Sequence, residues 1–323
     1  MTEWKMGGRV SGFTPRKRTE PIAFDPKSGS RAAIEAILAH EFVHHVQFHE
    51  GWFFATSVEG WDNNGPPIGT TERDLAYQAL LEGSAVYVTD IYADEYVEDT
   101  NRERYNSDRR RDQYEQGPPG NTYVSASYVA GAAYIHGQVE DPSRLDDLYN
   151  EDPPTSTYEI LFPSAETTVS HHEPELTVNI SNTEWWAKHD DRMGVLFLYT
   201  LLSTTHPPAM AEDVVRSFRG DHLVELSGPA DVRPLVWALT FENGTAVDQF
   251  VTIFREALDQ RTDPYAKEFA VERLSNETVI VLAGNEQLRQ TAEIGGTGAE
   301  ITVTFSLMTG TTSVGISVRK PAN

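Results

Sequence analysis

The sequence predicts an α-rich α+β protein, on three observations. Segments near residues 31–48, 72–92, 125–137 and 245–260 carry apolar residues at helical spacing, with capping or turn signals at their ends. The tail from about Thr278 alternates and is β-branched, at Thr278–Leu282, Ile301–Leu307 and Ser313–Val318. With 323 residues, 39% of them hydrophobic, the chain has material for a sizeable core. No apolar run approaches the ~20 residues that span a bilayer.

In chain order, two short extended segments come first, Val10–Phe13 and Ile22–Phe24, punctuated by Pro15, Pro21 and Pro26. Ser30 is placed to cap the first helix, and Thr71, with Asp74 three residues on, the second. Residues 50–70 read as loop. Residues 99–122 read as a surface insertion: Arg109, Arg110 and Arg111 lie among interleaved acids, which argues against a binding patch. The third helix fits Ser125–Gly137. Residues 139–188, rich in Pro, Asp and Thr, read as a long irregular excursion. Helices fit Asp191–Ser203 and Ala209–Arg219, and Val224–Leu226 with Leu235–Phe241 a hairpin. No internal repeat is present.

Composition excludes several functions. Asp and Glu number 49 against 26 Lys and Arg, a net charge of −23, which repels nucleic acid and anionic membrane. There are no cysteines, so disulfides, thiolate metal sites and cysteine nucleophiles are absent. Lysine is scarce among the basic residues, occurring only at Lys5, Lys17, Lys27, Lys188, Lys267 and Lys320. Carboxylate excess with scarce lysine resembles proteins of extreme halophiles, whose acidic surfaces stay hydrated when salt screens repulsion. Arg16, Lys17 and Arg18 are not followed by the apolar stretch of a secretory signal. Sequons at Asn179, Asn243 and Asn276 weigh slightly toward secretion.

The chemistry concentrates in His40-Glu41-Phe42-Val43-His44. Residues four apart share a helix face, so His40 and His44 can turn both imidazoles to one metal ion. Glu41 sits about 100° round the helix, where a carboxylate can take the proton of a metal-activated water. Ala36, Ile37, Leu38, Phe42 and Val43 make the helix apolar, and polar groups within it need partners.

A catalytic zinc site requires a third protein ligand. His45 and His49 turn away from the His40/His44 direction. Glu50 stands six residues after His44, where the metzincins place their third ligand, but the resemblance to them is weak: the chain reversal they use usually falls at a glycine, and Gln47 stands there. Glu82 fits better. It interrupts an apolar stripe of Leu75, Ala79, Val86 and Ala93, where a carboxylate must be protonated, paired or metal-bound. Gly83 and Ala85 are small enough to let the two helices approach. Tyr128 and Tyr134 are candidate oxyanion donors on the third helix, with Gly131 between them, ahead of His136 and the remoter His171, His172, His206 and His222.

His40-Glu41-x-x-His44 followed by Glu82-Gly83-x-Ala85 resembles the gluzincin zinc metallopeptidases, in the thermolysin-like and collagenase-like branch, peptidase MA. With the acidic composition, the chain looks like a haloarchaeal surface protein of that type. The resemblance covers about residues 31–92. It is looser over 125–260, through Tyr128-x-x-Gly131-x-x-Tyr134, Arg192-Met193-Gly194 and Gly220-Asp221-His222. It implies a zincin-like metallopeptidase domain over residues 1–270, with 99–122 and 139–188 as insertions and 271–323 as a small β-rich C-terminal element. It implies Zn²⁺ held by His40, His44 and Glu82, with Glu41 as general base. It also implies an edge strand from residues 8–27 along which a peptide could lie. One departure is plain. Thermolysin has an aspartate four residues after its glutamate ligand, orienting the first histidine; here that position is Val86, and Asp90 is the nearest substitute.

The expected function is therefore zinc-dependent hydrolysis of peptide or protein substrates, outside the cell or at its surface, with a cytoplasmic setting kept open. The alternative is a non-catalytic surface or binding protein that retains the fold and metal. Whichever holds, −23 of net charge sets a salt requirement. The melting temperature should climb as KCl rises from millimolar to molar. A flat or falling curve in differential scanning fluorimetry would remove the halophile assignment.

Overall fold

A computed structural model describes residues 12–13, 23–24, 31–52, 69–97, 107–151, 153–164, 174–180, 186–227, 234–261, 268–297 and 300–305. The chain divides into two compact units, one of Met1–Pro66 with Arg73–Ser164, the other of Pro67–Glu72 with Ala165–Asn323. Helices and strands are both abundant, as an α+β class requires. Ser30 and Ser313–Val318 lie outside the described residues.

The first unit is helical. It holds α1 (Arg31–Glu50), most of α2 (Thr71–Tyr96), α3 (Ser107–Gln116), α4 (Pro119–Gln138), a 3₁₀ turn (Pro142–Arg144), α5 (Leu145–Asn150) and α6 (Thr157–Leu161). Two short strands, β1 (Gly12–Phe13) and β2 (Ala23–Phe24), pair antiparallel. Its core gathers Trp52, Ala76, Leu80, Tyr134, Ile135, Leu148, Tyr149 and Ile160. The stripe read from the sequence is buried at Leu75, Ala79, Val86 and Ala93. Phe42 is not part of the packing expected around the histidines: it is 57% exposed.

Gly83 serves a different contact from the one its size suggested. It meets α4, where a Cβ on Gly83 would stand 2.3 Å from the carbonyl carbon of Gly131. A Cβ on Gly131 would stand 1.9 Å from the Ala79 carbonyl oxygen. Neither neighbour is a side chain that could swing aside, so α2 and α4 cross backbone to backbone.

Several boundaries differ from the sequence expectation, for local reasons. Residues 107–116 of the supposed insertion form α3. Helix α4 starts at Pro119 rather than Ser125, because a proline at the first helical position has no N–H to waste. The 139–188 stretch, expected to be irregular, holds the 3₁₀ turn capped by Asp141, α6 capped by Ser156, and the strands β3 (Glu175–Ile180) and β4 (Trp186–Asp191). Elements of five or six residues are too short to show a period.

The second unit adds β5 (Phe218–Ser227), β6 (Leu235–Phe241), β7 (Phe269–Arg273), β8 (Thr278–Ala283), β9 (Ala292–Thr297) and β10 (Glu300–Phe305). Its helices are α7 (Gly194–Ser203), α8 (Pro208–Val215), α9 (Gly244–Gln260) and α10 (Glu286–Gln290). An antiparallel sheet runs β4-β5-β6-β8-β7, and a smaller one β3-β10-β9 with β10 parallel to β3. Alternation sorts β6 between two layers. Val236 and Ala238 join Leu176, Val178, Ile301 and Val303 of the small sheet. Trp237 and Phe241 meet Phe197 of α7 and Phe250 of α9 on the other side. The expected hairpin of β5 and β6 is present. Sequence reasoning drew a boundary at 270/271, but β8 pairs with β6 and β10 with β3, so the tail strands belong to sheets begun earlier in the chain.

Arg192-Met193-Gly194 and Gly220-Asp221-His222 meet in this unit. The buried Asp221 carboxylate accepts from the Met193 and Gly194 amides and from Trp237 Nε1. Gly194 has φ +77° and touches Glu72, leaving no room for a side chain. This turn ends β4 at Asp191 and starts α7 at Gly194, where the sequence suggested one helix from Asp191 onward.

The crossing of α2 and α4 yields a paired test. Gly131→Ala should cost about 1–3 kcal/mol or more through overpacking. Gly137→Ala, on the same helix but with open space around it, should gain up to about 0.5–1 kcal/mol. Urea denaturation at fixed KCl measures both, and equal effects would contradict the close crossing.

Candidate metal centre

Helix α1 presents His40 and His44 one turn apart, and α2 presents Glu82 to both. His40 Nε2 lies 3.2 Å from Glu82 Oε2 and 3.2 Å from His44 Nε2. His44 Nε2 lies 3.3 Å from the same Glu82 oxygen. These are nearly equal edges of a triangle. Ligands about 2.0–2.1 Å from a tetrahedral zinc stand roughly 3.3–3.4 Å apart, so the three atoms fit one face of such a tetrahedron. Among the described residues, no other set of three His, Asp or Glu side chains meets the same proximity.

The hydrogen-bond network fixes one tautomer. Gln47 is fully buried and its Nε2 donates to the Leu81 carbonyl, 2.9 Å, and to Tyr149 Oη, 2.9 Å. A carbonyl only accepts, so the amide cannot be flipped, and Oε1 is left facing His44 Nδ1 at 2.8 Å. Nδ1 therefore carries the hydrogen, and the neutral ring turns a bare Nε2 toward Glu82. Two acceptors at 3.3 Å repel unless a proton or a metal cation lies between them. Burial alone would lower the pKa of His44, but Glu82, with help from Gln47 and Glu41, outweighs it and raises the pKa to about 9. Burial likewise works to raise Glu82, yet hydrogen bonds from His40 and His44 hold its carboxyl well below the usual range. The cluster thus favours a positive charge, and its two imidazoles and carboxylate form a donor set that could hold a metal ion.

Tyr149 ties the support together. Its hydroxyl donates to the Leu80 carbonyl at 3.0 Å and lies 3.0 Å from Ser84 Oγ, while its ring stacks on Trp52. Residues from α1, α2 and α5 thereby meet beside His44 and Glu82.

The other predicted residues separate. Glu41 is buried, and its charge is felt at His44 and at Tyr128. Tyr128 stacks on His40, with ring centroids 6.3 Å apart, and lies close enough to Glu82 to feel its charge. Burial first, then the Glu82 charge, raises its pKa, so the hydroxyl keeps its proton as a donor. Tyr134 is buried in the hydrophobic core cluster; six residues from Tyr128, it faces about 120° away round the helix. Asp90 accepts from the Ser107 amide and lies 3.9 Å from His136, so its carboxylate serves the start of α3. His49 pairs with Glu50. In the second unit, His206 pairs with Glu256, and His222 accepts from the Leu176 amide. His171 and His172 lie outside the described residues.

Sequence reasoning weighed Gln47 only as the place where a glycine was missing, and overlooked it as support for His44. Its signal was present: it lies three residues after His44 on the same helix. Comparison with protein-family models, with curated proteins and with solved structures returns no match.

His40→Ala or His44→Ala should abolish stoichiometric zinc binding, measured by elemental analysis after dialysis. Gln47→Leu should weaken binding by about 10–100-fold while the fold survives. Unchanged affinity would remove the amide from the site's support.

Proposed function

We propose that the protein is a zinc-dependent peptidase of gluzincin type that hydrolyses peptide bonds with an activated water. The observation that carries this reading is the near-equilateral triangle of His40, His44 and Glu82, with a buried Glu41 one residue from the first ligand. His40, His44 and Glu82 would hold the ion. When bound, zinc supplies Lewis acidity that makes water a nucleophile at neutral pH. Glu41 is a base rather than a ligand: it takes the proton of the attacking water and returns it to the departing amine. Tyr128, protonated and beside Glu82, donates a hydrogen bond to the carbonyl oxygen as negative charge builds there. Gln47 keeps His44 in the tautomer that the ligand role needs.

The alternative is a zinc-holding surface protein without catalysis. It draws support from the outer positions: Val86 replaces the orienting acid, and Asp90 is committed to Ser107. Extracellular, high-salt service fits both readings.

Glu41→Gln separates them. It should retain zinc and lose hydrolysis by about 10²–10⁴-fold, the usual worth of general acid–base catalysis. The assay is cleavage of a broad peptide library in molar KCl, with and without chelator. Equal cleavage by Glu41→Gln would rule out the mechanism. A zinc-loaded wild type that cleaves nothing would favour the binding protein.

A further inference from the structure

The chain carries a large excess of acid, and most arginines of the described residues are already engaged by carboxylates or carbonyls. Arg31 pairs with Glu35, Arg144 with Asp147, Arg192 with Asp190 and Arg219 with Glu242. Arg255 and Arg289 donate to main-chain carbonyls. Arg110 differs. It is half-buried on α3, and among the described residues it has no carboxylate partner. Its guanidinium instead lies over the Tyr128 ring, 4.0 Å from the centroid. Tyr128 in turn stacks on His40. Of the three consecutive arginines that composition assigned to a solvated surface, the middle one thus stands one aromatic ring away from a candidate metal ligand.

We propose that Arg110 recognises a carboxylate of the bound substrate, making this site selective for peptides with negative charge close to the scissile bond. A ring beneath the guanidinium fixes its plane, and among the described residues no carboxylate or carbonyl takes up its N–H fork. A planar fork accepts a carboxylate in two parallel hydrogen bonds, which a point charge cannot match. The protein is strongly acidic and repels an acidic peptide at long range, so local positive charge is needed where such a peptide is to be held. The carboxylate is either an Asp or Glu side chain or the free C-terminus; both present the same group. The proposal rests on the peptidase reading for its substrate, but its binding test does not require turnover.

The probes are two hydroxamates of matched length, succinohydroxamic acid with a free carboxylate and butyrohydroxamic acid without one. They are titrated calorimetrically into the zinc-loaded full chain. Wild type should bind the carboxylate probe at least about ten-fold tighter, the worth of a hydrogen bond to a charged group. Arg110→Gln should erase that preference while retaining zinc, and Arg110→Lys should keep part of it. Arg111→Gln removes the same charge from the same helix and should leave the preference intact. Equal affinities in wild type, a preference that survives Arg110→Gln, or no binding of either probe overturns the proposal. Peptide pairs then identify the source. Loss of preference on C-terminal amidation points to the terminus, and loss on Glu→Gln exchange in the peptide points to a side chain. For the preferred peptides, Arg110→Gln should raise KM with kcat nearly unchanged. Cleavage without a probe preference would sink the role of Arg110 and spare the peptidase. A probe preference without cleavage would do the reverse.

Discussion

The candidate site depends on one buried amide whose orientation admits no alternative. Gln47 gives both its hydrogens away, to a main-chain carbonyl and to a tyrosine hydroxyl, and is left with an oxygen that can only accept. That oxygen decides where the hydrogen sits on His44, and so which nitrogen is left with its lone pair facing Glu82. The Leu81 carbonyl that holds the amide is the residue before Glu82. The same hydrogen-bond chain therefore sets the histidine and the backbone that carries the carboxylate. Moving one without the other would break a buried bond, at roughly the cost of stranding a polar group away from water.

Packing supplies the second constraint. The contact of Gly83 and Gly131 brings α2 and α4 together immediately beside Glu82, and α4 carries Tyr128. A phenol can reach Glu82 from a neighbouring helix only because no side chain holds the backbones apart. The glycines are thus part of the site's geometry although neither has a side chain to contribute to it.

Much of this was legible in the sequence, and the failures follow a pattern. His40, His44 and Glu82 could be paired because helical spacing is a local rule and a carboxylate in an apolar stripe demands a partner. The α+β class followed from long periodic segments. What escaped depends on contacts distant in sequence. Gln47 reads as a surface-compatible polar residue until Tyr149, 102 positions on, is brought to it. Arg110 reads as one charge among many until Tyr128 lies beneath it. The tail strands read as a separate element because pairing with β3 and β6 leaves no local mark. Tyr134 and Tyr128 looked equivalent in composition, and only the turn of the helix distinguishes them.

The place of Tyr149 in the chain also bears on the order of events during synthesis. A nascent chain carries both histidines and Glu82 well before residue 149 has been added. At that stage Gln47 lacks one acceptor for its amide, and the ring of Trp52 lacks the aromatic face it stacks on. The three donors therefore exist as a sequence long before they exist as a rigid triangle. Ion capture by the emerging segment would draw on a looser set of groups than the finished protein offers. The rigidity of the triangle is in this sense a property acquired late, when Tyr149 reaches Gln47.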